Sequence, residues 1–479
     1  MSQLSAVDMK IVNEKINRIF DLQKRNQYAI AQTTAKERKA KIKKIQHAIQ
    51  NTYREAIKEA SYKDFRKNEA EVDLTEIFPI VASAKFTNSR LSGWMRDEKV
   101  DTPLAQMGMS SWIKYEPKGV VLIISPWNFA FNLTFIPLIS AIAAGNTVII
   151  KPSENTSHSS ALMREIIEDL FDEDEIALIE GAVPETSALL KKPFNHIFFT
   201  GAPSIGKIVM KAAAEHLTSV SLELGGKCPS IVDETANIKD AAARIAWAKG
   251  MNNGQICIAP DYVYVHESKK DEFLKHYKKF TTDYYGENVQ ESESYNRIVN
   301  DNHFRRIKGY MDDALERDAI IEFGGQLDEK ENFVSPTVVS NLNDDALVWE
   351  KEIFGPILPI RTFSDLSEPI DFVNKGEKPL ALYVYSKNKK NVNRVVDNTR
   401  SGAVVINHNA VHYFNNNLPF GGSNNSGIGK GMGIHGFKSF SNAKSVMKQW
   451  SPIDGMENFR PPYTDMKKKL IAFAIKYLS

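Results

Sequence analysis

The chain has 479 residues, 42% hydrophobic and 25% charged, the composition of a folded enzyme with two or three domains. Sixty-one basic residues against 59 acidic leave a formal charge of +2, without the concentrated basic excess of a general nucleic-acid binder. Two cysteines, Cys228 and Cys257, make no disulfide framework, so a reducing, cytoplasmic compartment is expected.

The opening MSQLSAVDMKIVNEK carries charges where a signal peptide needs an apolar core. No window approaches the roughly 20 apolar residues of a bilayer span, so no transmembrane segment is expected. Residues 1–97 read as mostly helical. Within them, 35–60 is rich in helix formers, with Ile42, Ile45, Ile49 and Tyr53 close to helical spacing. Its lysine run is a solvated face, because Glu37, Glu55 and Glu59 are interspersed. Leu104–Pro117 is extended and lightly charged, and could leave the main body.

From Gly119 the pattern becomes regular. Apolar strands are expected at 119–125, 147–151, 176–180, 196–200 and 219–224, with helices between them. Strands apolar on both faces and alternating with helices mark a parallel doubly wound sheet, whose ligand edge lies at the strand C-termini. A second alternating set follows: strands at 230–232, 262–266, 319–323, 381–386 and 403–407, and helices at 240–251, 269–285 and 391–399. The stretch 419–433, PFGGSNNSGIGKGMG, reads as a loop, and the tail 467–479 as a basic amphipathic helix packed on its own protein or a partner subunit.

Several strand ends carry polar groups. Pro126-Trp127-Asn128-Phe129 ends the first strand, and Asn128 could donate its amide to an oxyanion or merely satisfy backbone. Lys151-Pro152-Ser153-Glu154 ends the second, a pair for ribose hydroxyls or a surface ion pair. Gly201 to Lys207 follows the fourth strand and opens a helix, where backbone N–H groups favour phosphate. It nearly satisfies the P-loop pattern, but Ile208 replaces the magnesium-binding hydroxyl, and Ile231-Val232-Asp233-Glu234 is a poor acidic strand end. Glu223 and Leu224 end the fifth strand beside Gly225 and Gly226. Cys257 sits on the polar turn Asn252–Pro260, presented to a cleft or buried as a small hydrophobe.

Taken together, PWNF, KPSE, FTG-x₄-GK, LELGGK, GQ-x-C, EIFGP (Glu352–Pro356) and PFGG-x₃-SG (Pro419–Gly427) occur in the order of the NAD(P)-dependent aldehyde dehydrogenase superfamily. The resemblance runs from about Ser110 to Lys444. The short N-terminal region and the ending RPPYTDMKKKL (Arg460–Leu470) look like its class 3 branch.

The resemblance implies an α/β fold of three parts. These are a Rossmann-like parallel-sheet cofactor domain (1–97 and 118–224, with part of 446–479), an α/β catalytic domain (225–418) and a β-hairpin bridging arm (98–117 and 419–445) that pairs subunits, as in a homodimer. It implies oxidation of an aldehyde to the carboxylic acid with NAD or NADP. Cys257 would be the nucleophile, Asn128 the oxyanion donor and Glu223 the base that hydrolyses the thioester. Glu352 and Phe354 match the nicotinamide-ribose and ring-packing positions. Lys151 and Glu154 match the adenosine-ribose positions, Trp127, Gly201 and Gly206 the pyrophosphate neighbourhood, and Leu224 is a further cofactor-binding position. No metal site is implied. Ala202 stands where many members carry a hydroxyl or amide, so pyrophosphate would lean on backbone amides. Phe129, Phe131 and Phe420 flank the motifs and could line an apolar tunnel for a medium-chain or aromatic aldehyde. The alternatives are a P-loop-type nucleotidase and a catalytically retired structural relative.

Overall fold

The computed structural model of the chain describes residues 6–452, 456 and 459–477. The first five positions of the N-terminal stretch and the last two of the tail lie outside them. The N-terminal region is helical, with long helices at Ala6–Ala31, Ala35–His47, Arg54–Phe65 and Phe78–Trp94. Thr34 and Glu37 form a reciprocal cap on the second. The periodic stretch over 35–60 is not one helix: a five-residue π-turn, Ala48–Thr52, interrupts it. Ile42, Ile45 and Ile49 nevertheless all reach the core.

The strands used below are, in chain order, β1 (Met109–Pro117), β2 (Val120–Ile124), β3 (Thr147–Lys151), β4 (Ile176–Leu178), β5 (His196–Gly201), β6 (Ser219–Leu224), β7 (Pro229–Val232), β8 (Tyr262–His266), β9 (Ile320–Phe323), β10 (Thr337–Ser340), β11 (Ile357–Phe363), β12 (Ala381–Tyr385), β13 (Ala403–Ile406), β14 (Gly427–Ile428) and β15 (Ser441–Gln449).

The first sheet has the order β14-β6-β5-β2-β3-β4. Its five strands β2 to β6 are parallel, and β2 to β4 are buried throughout because helices cover both faces. From β2 the chain winds one way to β3 and β4, then returns to the other side for β5 and β6. The order therefore reverses beside β2, and the crevice at the C-terminal ends of β2 and β5 is the binding position such a sheet offers.

The second sheet has the order β9-β10-β11-β8-β7-β12-β13, parallel except for the edge pair β9–β10. Gly225–Cys228 carries the chain from β6 in one sheet to β7 in the other, so Glu223 ends a strand of the first sheet while Cys257 lies in the turn before β8 of the second.

A third, three-stranded antiparallel sheet joins Glu98–Val100, β1 and β15. The stretch 98–117 contributes two of its strands, Glu98–Val100 and β1, and the third, β15, runs from Ser441 to Gln449. The stretch 419–433 is not simply a loop: β14 within it pairs antiparallel with β6, Gly427 opposite Glu223. The tail forms the expected helix, Asp465–Tyr477, none of whose residues is buried in the single chain. Among the described residues no helix is long and apolar enough to cross a membrane.

Candidate active site

Cys257 follows a tight turn at the end of the helix Ile238–Gly250. Asn252, Asn253 and Gly254 all take positive φ (49°, 57° and 69°), the region that asparagine and glycine tolerate best. A Cβ at Gly254 would overlap the Gly355 carbonyl oxygen, so this glycine lets the cysteine turn and the Glu352–Pro356 turn lie against each other. The turn is held from within. Gln255 donates to the carbonyls of Asn252 (3.0 Å) and Arg297 (3.1 Å), and its own side-chain oxygen takes the Val299 N–H (3.1 Å). Burial pushes the Cys257 thiol up, and the carboxyl groups of Glu352 and Glu223 add to the effect.

Asn128 lies in the loop after β2. It is buried, and its Nδ2 donates to the Gln255 carbonyl at 3.0 Å, which fixes the amide beside the cysteine turn. The carbonyl of Asn128 accepts from Asn252 Nδ2 (3.0 Å) and from Lys67 Nζ (3.1 Å).

Glu223, at the end of β6, is buried, and its Oε2 has no hydrogen-bond partner among the described residues. Burial pushes its carboxyl up to about 8, with Lys430 and the Gly431 N–H pulling the other way. Gly421 and Gly431 crowd its Oε1, and a Cβ at Gly421 would lie 2.9 Å from that oxygen. The stretch after Pro419 thus wraps the Glu223 carboxyl.

Glu352 is likewise pushed up to about 8, by burial first and then by Asp261. A Cβ at Gly225 would overlap its Oε2, and its Oε1 is buried with no hydrogen-bond partner among the described residues. Phe354 sits at a positive φ of 46°, strained for an aromatic residue. Arg306 holds the turn by donating to the carbonyls of Ile353 (2.6 Å) and Phe354 (3.1 Å). Lys227 donates to the carbonyls of Val348 (2.7 Å) and Lys351 (2.9 Å) and pairs with Asp261. The rings of Trp127 and Phe354 meet edge to face at 5.4 Å.

These groups face one cavity of about 1100 Å³, whose walls include Trp127, Asn128, Gly201, Glu223, Leu224, Cys257, Glu352 and Phe354. Lys151, Glu154 and Gly206 are not in that wall. Lys151 is buried at the end of β3, donates to the Pro152 carbonyl (2.5 Å) and has Glu154 at 3.9 Å. Gly206 acts through packing: a Cβ there would lie 2.8 Å from Leu224 Cδ2, so the helix Pro203–Ala214 can approach β6 closely. At that helix start Pro203 has no N–H, and the Ile205 and Gly206 amides already bond the Ala202 carbonyl (3.0 Å each). The expectation that backbone amides carry the phosphate site is thereby narrowed; Ser204 and Lys207 are the polar residues lining the cavity there.

Phe420 lines the cavity, but Phe129 and Phe131 are buried in the core and do not. Other apolar lining residues come from elsewhere: Leu133, Ile136, Tyr413, Met432 and Phe440. Sequence reasoning passed over Lys67 and Arg306, which carry no motif signal of their own, and gave no role to Gln255 of GQ-x-C or to Lys430 of the 419–433 stretch. Lys227 stood in a quoted motif without a role. Asp233 ends β7 in the other sheet, bonded to Thr235 and Asn391, so no acidic strand end accompanies the Gly201 turn as a P-loop nucleotidase requires.

The sequence model of the aldehyde dehydrogenase family matches residues 7–446. The chain is 43% identical over 436 residues to the 4,4'-diaponeurosporen-aldehyde dehydrogenase of Staphylococcus aureus, covering 91% of this chain and 94% of that one. It is 42% identical over 391 residues to the dimeric NADP-preferring aldehyde dehydrogenase of Mus musculus, covering 82% and 85%. A solved structure described as the substrate-bound state of Staphylococcus aureus AldH superposes with a TM-score of 0.91 at 41% identity, covering 96% of this chain and 99% of that chain. Neither the nucleotidase nor the retired scaffold finds support among these relatives.

Proposed function

The chain belongs to the aldehyde dehydrogenase family and is an NAD(P)-dependent enzyme that oxidises aldehydes to carboxylic acids, and from that premise we propose how its residues divide the work. Cys257 is the nucleophile, Asn128 the oxyanion donor and Glu223 the hydrolytic base. The observation that carries this reading is their convergence. Asn128 and Glu223 from one sheet and Cys257 from the other face one cavity, with the Asn128 amide already oriented by the cysteine turn.

The dinucleotide fits the residues present. The unpartnered Glu352 Oε1 can accept a ribose hydroxyl, Gly225 leaves that carboxylate room, and Trp127 and Phe354 offer ring faces. Ser204 and Lys207 suit the phosphates, and Lys151 with Glu154 the adenosine ribose. NAD(P), when bound, supplies the acceptor for the aldehyde hydride.

The remaining chemistry belongs to the chain. The Cys257 sulfur bonds to the carbonyl carbon, and its proton passes to a neighbouring carboxylate; Glu223 and Glu352, both pushed toward neutrality, are matched to that task. The new oxyanion takes hydrogen bonds from Asn128 Nδ2 and the Cys257 N–H. Removing one such donor typically costs ~10²–10³-fold. After oxidation the acyl group is a thioester on Cys257. Glu223 takes a proton from water, the water oxygen bonds to the acyl carbon, and the carbon–sulfur bond breaks to free the acid.

An apolar aldehyde suits the wall formed by Leu133, Ile136, Phe420 and Met432. A cofactor domain (1–97 and 118–224, with part of 446–479), a catalytic domain (225–418) and an arm (98–117 with 419–445) remain the division we propose. A cytoplasmic homodimer agrees with the open edge of the arm sheet and with exposed Trp450, Phe473 and Tyr477 nearby in sequence. The test is reduced-nicotinamide absorbance with NAD and NADP separately, against hexanal, benzaldehyde and a short hydroxyaldehyde. Faster turnover of the hydroxyaldehyde than of hexanal would refute the apolar assignment.

A further inference from the structure

Three acidic and basic side chains of the N-terminal helical region stand behind the active site, outside its cavity. Lys67 is fully buried, and Glu76 nearly so, with Lys67 Nζ 3.1 Å from Glu76 Oε1. The same ammonium donates to the Asn128 carbonyl (3.1 Å) and lies 4.2 Å from the centre of the Phe129 ring. Glu76 Oε2 accepts the backbone N–H of Asn132 (2.8 Å), the first residue of the helix after the Asn128 loop. Asn132 in turn accepts at Oδ1 from the hydroxyl of Tyr413, a cavity residue (2.7 Å). Glu71 holds the other loop, accepting the Asn252 N–H (3.0 Å) and the Asn296 amide (2.9 Å).

Burying charge is costly, and a pair is worth little for stability compared with well-packed apolar residues. A packing role alone would therefore be served as well by apolar side chains. The contacts made here are not generic. Lys67 bonds the carbonyl of the residue whose side chain is the oxyanion donor, and Glu76 bonds the far end of the same loop. We propose that Lys67 and Glu76 are positioning residues for the reaction: they clamp the Asn128–Asn132 loop at both ends and so set the direction of the Asn128 amide. This inference rests on the reading of Asn128 as oxyanion donor. The pair touches neither substrate nor cofactor, so it acts on the rate only through Asn128.

The test replaces the pair by apolar residues, Lys67→Met with Glu76→Leu, in wild-type and Asn128→Ala backgrounds. Thermal stability, NAD(P) binding, KM for aldehyde and kcat are read together. The expected result is a protein that binds NAD(P) normally and melts near the wild-type temperature, while kcat falls about 10-fold to 100-fold. That loss is bounded by the ~10²–10³ of a whole donor. In the Asn128→Ala background the same replacement costs less than about twofold, because there is no amide left to aim. Multiplicative losses in the two backgrounds, or an unchanged kcat, would overturn the positioning role. Should the double replacement fail to fold, Glu76→Gln keeps the volume and loosens one end of the clamp, and the same two-background comparison decides. Asn128→Ala at the wild-type rate would instead refute the oxyanion reading itself, so the two failures are distinguishable.

Discussion

The hydrolytic step should follow the ionisation of one carboxyl group. Burial pushes Glu223 up to about 8, so at neutral pH it is mostly protonated and a poor base. A group of that pKa is about one-tenth ionised at pH 7 and about nine-tenths at pH 9. Thioester hydrolysis should therefore rise about tenfold across that interval, while a carboxylate of ordinary pKa would give no rise there. Glu223→Gln should abolish the dependence and slow hydrolysis by roughly 10²–10⁴-fold, leaving a burst of reduced cofactor followed by slow turnover. Lys430 lowers the Glu223 pKa, so Lys430→Met should move the inflection to higher pH. Stability has the opposite sign. The folded state holds this proton more tightly than the unfolded state. Its stabilising contribution is complete below about pH 4.5 and is lost as pH rises through about 8. Glu223→Gln, having no proton to hold, should then lose less stability than wild type between pH 5 and 9, by on the order of a few kcal/mol. The assay is stopped-flow absorbance of reduced nicotinamide over pH 6–9.5, with thermal melts in the same buffers. A flat steady-state profile in wild type, or a Glu223→Gln enzyme without a burst, would refute the assignment.

Cys257→Ala should remove dehydrogenase and any esterase activity while NAD(P) still binds; measurable turnover in that variant would exclude Cys257 as nucleophile. Gly254→Ala forces a positive φ of 69° on an L-residue and overlaps the Gly355 carbonyl, so it should cost more than the ~1–2 kcal/mol of the left-handed region alone. A melting temperature within two degrees of wild type would contradict the close approach of those two turns. Gly225→Ala must displace the Glu352 carboxylate, and should raise KM for the dinucleotide more than KM for the aldehyde; equal changes would count against Glu352 as a cofactor ligand. Sedimentation should give a dimer, and charge placed at the exposed Met447 on β15 (Met447→Glu) should weaken it; a wild-type monomer at micromolar concentration would end the homodimer proposal.

The parallel sheet was legible because strands buried on both faces leave uninterrupted apolar runs: VVLII, TVIIK and HIFFT are the strands near which they were expected. The order of those strands put Asn128, Gly201 and Glu223 at one edge before any side chain was placed. β11 was not legible. It lies inside the second sheet, between β10 and β8, yet Pro359 interrupts it, and proline normally argues against a central strand. Phe129 and Phe131 stand next to a motif and were candidates for the substrate wall, but the side chains pack inward, one of them under Lys67. The lysine run within 35–60 reads as a solvated face, and its lysines are exposed or half-buried. Lys67 and Glu76 depart from this only because they meet each other and a loop some 60 positions away, a relation with no local periodicity to betray it.

The chemistry here needs groups that are costly to hold in place: an aimed amide, two carboxyls near neutrality and a thiol in a site that disfavours its charge. Their own bonding satisfies them only in part. Glu223 Oε2 and Glu352 Oε1 lack partners among the described residues, and Phe354, Asn252 and Asn253 sit in strained backbone. The compensation lies around them. Gln255 with three bonds, Arg306 with two carbonyls, Lys227 with two carbonyls and Asp261, and Lys67 with Glu76 each tie down a loop that carries a reacting or binding group. Removing one of these ties need not unfold the protein, since the cores of both sheets do not depend on them. It should instead free a loop by a fraction of an ångström, which is where rate is lost before stability. The division between residues that react and residues that aim them is thus a physical one that motifs do not draw: Gln255 and Lys227 lie inside motifs, Arg306, Lys67 and Glu76 outside them, and the aiming role shows only once the loops are seen together.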